Sequence, residues 1–308
     1  MKKSSITHLS QLSDNDLFKE VAKGLNLIFE NTKSIEDDSI FLAKNNRRGC
    51  RILRNISNEE SAKFLILIDL IRCDRNSDEG KSHFTRQLSY FNNHLAKLIY
   101  AEYCEWRYDY FREISEHIEI MRKEYYLDGP EGVEFIRPNW SLEKRESNMY
   151  VDHIEDNDEH YWISPQPNEI NKDIKEISIL DTWPTFVFEL VCALKNSGFA
   201  KAEALEQIAS KWRSVNDVFT KTEPINLNNG TIWNSDVFTK SRDLRKLNEE
   251  TLTDLKNKSL LEKQPQKTYD YIIEYWPFPL YSLDLREQKV SKSDLRNIQE
   301  RWSPPSLY

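Results

Sequence analysis

The sequence predicts a mainly α protein, with a helical bundle in its first part and a mostly helical C-terminal extension behind it. Three observations lead to that class. Apolar residues return every three or four positions through most of the first 128 residues, the period of an amphipathic helix. Helix-capping residues stand where those stretches begin. Glycine is scarce, 7 in 308 residues, and neither a GxGxxG run nor a P-loop occurs, so Rossmann-type dinucleotide binding and P-loop NTPase chemistry are poor fits. The 14 Phe, 14 Tyr and 8 Trp residues supply ample material for a packed core.

Taken in order, Ser13 caps a first helix, with Asp14 and Asp16 in the first turn where the helix dipole favours acids. Leu17, Val21, Leu25 and Ile28 mark its buried stripe. A shorter second helix is predicted over about Ile35 to Leu53, with Gly49 as a point of interruption. Ser57 followed by Glu60 reads as a capping box opening a third helix. That helix is apolar nearly all round through Ala62, Phe64, Leu65, Ile66, Leu67, Ile68, Leu70 and Ile71, which makes it central. Asp74 to Ser82 reads as a loop. Leu88, Phe91, Leu95, Leu98 and Ile99 form the stripe of a long helix that runs on to about Tyr126, where Asp128-Gly129-Pro130 stops it. Short links between such helices point to a bundle.

Beyond Gly129 the texture changes. Prolines appear at 130, 138, 165, 167 and 184, and Glu155-Asp156-Asn157-Asp158-Glu159 reads as a solvated acidic loop. Helices are predicted over about Trp183–Lys195, with Pro184 in the first turn, and over Lys201–Val215 and Lys240–Leu261. Tyr275-Trp276-Pro277-Phe278-Pro279 suggests an extended segment packed by aromatics. We therefore expect two parts, residues 1–170 as the helical domain and 171–308 as the extension.

No apolar stretch reaches the roughly 20 residues needed to span a membrane; the best run, Phe64 to Ile68, ends at Asp69. Met1-Lys2-Lys3 is followed by no apolar leader segment. Cys50, Cys73, Cys104 and Cys192 lack CxxC spacing, which suits reduced thiols better than a disulfide framework or a zinc knuckle. Together these lead us to expect a soluble, cytoplasmic protein without a membrane partner. The formal charge is −8 overall, −1 over residues 1–128 and −7 over the remainder, which directs any nucleic-acid partner to the first part.

Four constellations have the residue types for chemistry. Glu60 and Lys63, with Glu59 adjacent, share a face of the central helix, where an ammonium among apolar neighbours calls for a carboxylate. His94 and Lys97 share a face of the long helix beside its buried stripe. Both pairs read equally as structural ties between helices. Lys144 to His153 gathers cations, a phenol, carboxylates and an imidazole, as a surface loop also does by chance. Lys44, Arg47, Arg48, Arg51 and Arg54 fall within eleven residues with no acid among them. Positions 44, 47, 48 and 51 form one cationic stripe, suited either to phosphates or to plain solvation. His117-Ile118-Glu119 lacks the second histidine of a zincin, and no nucleophile elbow or metal-ligand spacing is present.

The order of these pieces resembles a known family. Gly24, Asn31, Asp37-Asp38, Asn46-Arg47-Arg48, Glu59-Glu60-Ser61-Ala62-Lys63, Phe91-Asn92-Asn93-His94-Leu95-Ala96-Lys97 and Met149-Tyr150-Val151-Asp152, then Trp162 and Pro165, look like the AbiV-type abortive-infection proteins of the HEPN superfamily. The resemblance covers roughly residues 15–167 and does not reach 171–308. It implies a HEPN-like bundle, often a homodimer, and metal-independent RNA cleavage or a translation block in anti-phage defence, with no cofactor. It also implies RNA or the translation machinery as partner and a phage protein as trigger. The usual signature, Arg then His after four to six intervening residues, is altered: four residues separate Arg145 from Tyr150, and seven separate Arg86 from His94. By implication His94 is the acid or base, Lys97 and Arg145 stabilise phosphate charge, and Tyr150 donates a proton or orients the phosphate. Glu60 holds Lys63 and orients His94, and Lys44, Arg47, Arg48 and Arg51 hold RNA. A non-catalytic HEPN-like sensor and an antitoxin-like regulatory subunit are the alternatives.

Overall fold

In the computed structural model the described residues are 6–43, 47–104, 124–125, 136–137, 145, 149–156, 159–163, 183–213, 235–277 and 279–280. They are mainly helical. After a short 3-10 turn at Ile6–Gln11 come α1 (Asp14–Ala43), α2 (Arg47–Arg72), α3 (Asp78–Tyr90) and α4 (His94–Tyr103). Four short strands follow, β1 (Glu124–Tyr125), β2 (Ile136–Arg137), β3 (Asp152–Asp156) and β4 (Glu159–Ile163). The remaining helices are α5 (Phe186–Asn196), α6 (Ala202–Arg213), α7 (Ser235–Asn257) and α8 (Gln266–Tyr275).

The first two helices form an antiparallel pair, fixed by Gly24 against Leu67 at one level and Asn31 against Glu60 at another. The break expected near Ile35 does not occur: α1 continues to Ala43, and α2 then runs unbroken past Gly49 and Ser57. The buried stripe of α1 explains the difference. It passes from Leu25 and Phe29 through Thr32, Glu36 and Ser39 to Ala43, so burial keeps the helical period while hydrophobicity fades. The hydroxyls are satisfied inside the helix, Thr32 donating to the Ile28 carbonyl at 2.8 Å and Ser39 to the Glu36 carbonyl at 2.9 Å. Ser57, expected as a cap, is instead a buried residue of mid-α2.

The expected loop over Asp74–Ser82 is half helix. Asp74 accepts from the backbone N–H groups of Asn76 (2.9 Å) and Ser77 (3.0 Å), and the Ser77 hydroxyl then accepts from Gly80 N–H at 3.1 Å, capping α3. Gly80 is obligatory here, because a Cβ on it would lie 2.3 Å from the Asp74 carbonyl oxygen. The long helix expected to reach Tyr126 is interrupted at Phe91–Asn93. Asn93 takes an extended conformation and caps α4 by accepting from Ala96 N–H at 3.1 Å. Residues 105–123 lie outside the described residues, and Glu124 and Tyr125 pair with Arg137 and Ile136 in an antiparallel ladder rather than continuing a helix. Of the acidic stretch expected as a loop, Glu155, Asp156 and Glu159 stand in an antiparallel ladder, with Asp152 opposite Ile163 and Asp156 opposite Glu159, and residues 157 and 158 lie outside the described residues.

The later helices form close to where the periodicity puts them. Pro184 stands one residue before the Thr185 cap rather than in the first turn. Gly198, at φ 96°, turns the chain after α5 where a side chain would be strained. The extended aromatic segment begins only at Trp276, since Gln266–Tyr275 is helical. One apolar core runs through both expected parts: α5 and α6 pack on α1 and α2, and the core extends from Leu17 to Trp276 and Leu280. Trp276 meets Phe199 edge-on at 5.2 Å and Trp212 at 5.5 Å. No described helix is long and apolar enough to cross a membrane.

Candidate functional site

The interruption at Asn93 determines the geometry of the site. It makes His94 the first residue of α4, so the ring stands at a helix end, while Lys97 lies one turn further in on the same face. Both reach Glu59 on α2. The His94 Nδ1 is 2.6 Å from Glu59 Oε2, and the Lys97 ammonium donates to the same oxygen at 2.6 Å. The other oxygen, Oε1, accepts from Arg145 Nε at 2.7 Å. Two groups one turn apart on α4 and a third from Arg145 therefore meet one carboxylate on α2.

Burial grades this cluster. The Glu59 side chain is 8% exposed and that of Lys97 6%, whereas the His94 ring is 54% exposed. Burial pushes the Glu59 carboxyl up, and the Lys97 ammonium with the His94 ring more than offsets it, so the group titrates below its ordinary value. Glu59 is thus ionised at neutral pH and can only accept. The imidazole nitrogen facing it carries a hydrogen, which leaves Nε2 as the basic nitrogen of a neutral ring.

The other expected residues are placed as follows. Glu60 pairs with Lys63, and Asn31 Nδ2 donates to Glu60 Oε2 at 3.3 Å. Lys63 lies over the Phe91 ring at 5.5 Å. This pair joins α1, α2 and the α3–α4 corner, but the carboxylate that meets His94 is Glu59, not Glu60. Tyr150 is 54% exposed, and none of the Glu59 contacts includes it. Arg48 donates from Nη2 to the Met149 carbonyl at 3.4 Å, bringing the start of α2 against the segment that holds Tyr150. Arg51 is half-buried on α2. Lys44 and the Arg47 side chain lie outside the described part of the molecule.

Residue types in the sequence favour Glu60, whose neighbour Glu59 is the residue that gathers the cluster. A signal for Glu59 exists: Glu59, Ala62, Ile66, Asp69 and Cys73 follow the 3-4-3-4 spacing of one buried stripe. The same stripe holds a second buried polar cluster that sequence reasoning does not anticipate. Asp69 pairs with Arg72 and accepts from the Tyr100 hydroxyl at 2.6 Å, and Gln87 donates to that hydroxyl at 2.9 Å. Arg72 is flanked by the Trp212 and Trp276 rings at 4.2 and 4.7 Å and donates to the Pro277 carbonyl at 2.8 Å. Burial outweighs the pull of Arg72 and raises the Asp69 carboxyl, and burial beside Asp69 raises the Tyr100 phenol far above its ordinary value. With every group fully buried, this second cluster fastens the 276–280 segment to the bundle.

Among the described residues no group of three or more His, Cys, Asp or Glu side chains is placed to hold a metal ion. What the Glu59 cluster offers chemically is an imidazole at the surface, held by a carboxylate that two cations keep ionised. No family model matches the chain, and neither a curated protein nor a solved structure matches it.

Proposed function

We propose that the protein is an abortive-infection effector of the AbiV-like HEPN type that acts on RNA, with His94 as its reacting group and Glu59 as the residue that positions it. The observation carrying this reading is the convergence of His94, Lys97 and Arg145 on Glu59, residues that the family resemblance singles out from two separate stretches. In the chemistry this supports, His94 Nε2 takes the proton of an RNA 2′-hydroxyl. The 2′-oxygen then bonds to the adjacent phosphorus as the bond from phosphorus to the 5′-oxygen breaks. The departing 5′-oxygen takes a proton from the Tyr150 phenol or from water. A 2′,3′-cyclic phosphate and a 5′-hydroxyl end result, and the balance needs neither oxidant nor metal. Lys97, being buried, acts through Glu59 by keeping the carboxylate ionised.

The test is growth arrest on induction, with mapping of RNA 5′ ends from the same cultures. Wild type should arrest growth and create discrete 5′-hydroxyl ends, and His94→Ala should lose both while keeping its melting temperature. Arrest that persists in a folded His94→Ala protein rejects the assignment. One observation favours a second reading, a binding module without catalysis: Lys97 and Arg145 are both committed to Glu59 and are not presented to a phosphate. That reading predicts intact RNA in arrested cells and a stable complex with a partner protein.

A further inference from the structure

The short helix α4 is tied to α2 at two polar contacts. One is the site itself, where His94 and Lys97 meet Glu59. The other is Tyr100, three positions beyond Lys97, whose hydroxyl donates to Asp69 Oδ2 at 2.6 Å. Glu59 and Asp69 belong to the same buried stripe of α2. With its ten residues α4 is about 15 Å long. Six positions, about 9 Å of helix axis, separate His94 from Tyr100. A rod this short moves as one piece, so a tilt or rotation at Tyr100 is delivered to His94. The Tyr100 hydroxyl has one hydrogen and two lone pairs, and all three are used. It donates to Asp69 and accepts from Gln87 Nε2 on α3 at 2.9 Å and from Leu280 N–H at 3.4 Å.

That last donor comes from the far end of the described chain, which is held backbone-first against the same cluster. Arg72, the partner of Asp69, donates to the Pro277 carbonyl at 2.8 Å. Asn248 on α7 donates to the Trp276 carbonyl at 2.9 Å and to the Ile273 carbonyl at 3.2 Å. Asp69, Arg72, Gln87, Tyr100, Asn248 and Trp276 are all buried, so water does not compete for these bonds. We propose that Tyr100 is a positioning residue for the site and that the 276–280 segment acts through it. Docking of this segment completes the hydrogen bonding of Tyr100, which seats α4 on α2 and so sets the contact of His94 with Glu59. The part of the chain that the family resemblance does not reach thereby has a role: it governs the geometry of the imidazole. The importance of this coupling for activity rests on the reading of His94 as the reacting group, whereas the coupling itself is a property of the fold.

Long-range proton–nitrogen NMR of the histidine rings in the full chain, well below the melting temperature and at mildly alkaline pH, reads the contact directly. His94→Ala assigns the signal. In wild type Glu59 should hold the ring hydrogen on Nδ1, and a ring released from Glu59 shares it between both nitrogens. Tyr100→Phe keeps the aromatic ring and drops the hydroxyl, and Leu280→Pro removes the N–H at the other end of the link. Each should redistribute the His94 hydrogen and speed amide exchange in α4 on the order of tenfold. The double variant should do little more than either single one, since both break the same link. Ile208→Val, in the same core on α6, should lower the melting temperature and leave the His94 ring as it is. An unchanged ring in folded Tyr100→Phe overturns the role of Tyr100, and an unchanged ring in folded Leu280→Pro overturns that of the 276–280 segment. A ring that responds equally in Ile208→Val reduces the effect to general loss of stability and overturns both. The two readings fail separately. Growth arrest that persists in His94→Ala removes the cleavage and leaves the coupling standing, whereas an unchanged ring in both link variants removes the coupling alone.

Discussion

Replacing Glu59 by Gln removes the charge on which Lys97, His94 and Arg145 converge and leaves the shape almost unchanged. Lys97 is 5% exposed, so its ammonium has no access to bulk water once the carboxylate is gone. Removing one partner of a buried ion pair costs about 3–5 kcal/mol, because the remaining charge stays desolvated. We expect Glu59→Gln to lie near the lower end, about 3 kcal/mol, since His94 and Arg145 have solvent to turn to. The destabilisation should depend on pH. The folded carboxyl of Glu59 titrates below its ordinary value, so its stabilisation is present above the unfolded value near 4.3 and disappears as pH falls through the folded one. The difference between wild type and Glu59→Gln should therefore be full at pH 7 and shrink below about pH 4. Urea unfolding at both pH values measures it. A double-mutant cycle with Lys97→Met isolates the pair. Removing both charges should cost less than the sum of the singles, with a coupling of about 2 kcal/mol. A Glu59→Gln protein within about 1 kcal/mol of wild type at pH 7, or a cycle that is simply additive, would refute the placement of Lys97 against Glu59.

Three further outcomes follow from the packing. Arg72→Met should destabilise the fold by about 3 kcal/mol at pH 7 and less in acid. Asp69 already titrates above its ordinary value and folds protonated there, so equal destabilisation at both pH values in urea unfolding would count against the Asp69–Arg72 pair. Gly80→Ala should cost about 1–3 kcal/mol by forcing a Cβ against the Asp74 carbonyl, read as a fall in urea midpoint; a neutral result would mean that the Asp74 turn is not formed. The Cys192 thiol is pushed up to about 12 by burial, with the Glu189 and Glu36 charges adding to it. In native protein at pH 8 it should alkylate at least about a hundredfold more slowly than an ordinary thiol of pKa about 8.5, as followed by mass spectrometry, and rapid labelling of Cys192 would refute that burial.

The helical class is legible because its cause is local. The stripe Leu17, Val21, Leu25 repeats at the period of the backbone itself, and α5, α6 and α7 announce themselves by the same means. Sequence and structure diverge where burial and hydrophobicity part. Thr32, Glu36 and Ser39 are core residues of α1 that look like surface: Thr32 and Ser39 donate to the helix backbone, and Glu36 reaches a distant partner with one of its oxygens. Glu36 accepts the Thr185 N–H at 2.9 Å, a residue 149 positions away, which no local pattern reveals. The segment through Phe91–Asn93 looks like continuous helix because its apolar spacing carries across the break. Asn93 ends that continuity with one side-chain hydrogen bond, which weighs nothing in a periodicity.

For the site, residue types are readable and partnership is not. His94, Lys97 and Arg145 stand out in the sequence as carriers of charge and proton transfer. Which carboxylate gathers them was decided by the rotation of α2 about its axis, where one position, roughly 100°, separates Glu59 from Glu60. That rotation is set by the packing of α2 against α1, α4 and the C-terminal helices together. The sequence by itself thus determined that the chain forms helices and which side chains are available for chemistry. Tertiary structure alone decided that one buried glutamate orders them, because burial is a property of the assembled core and is written in no single stretch of the chain.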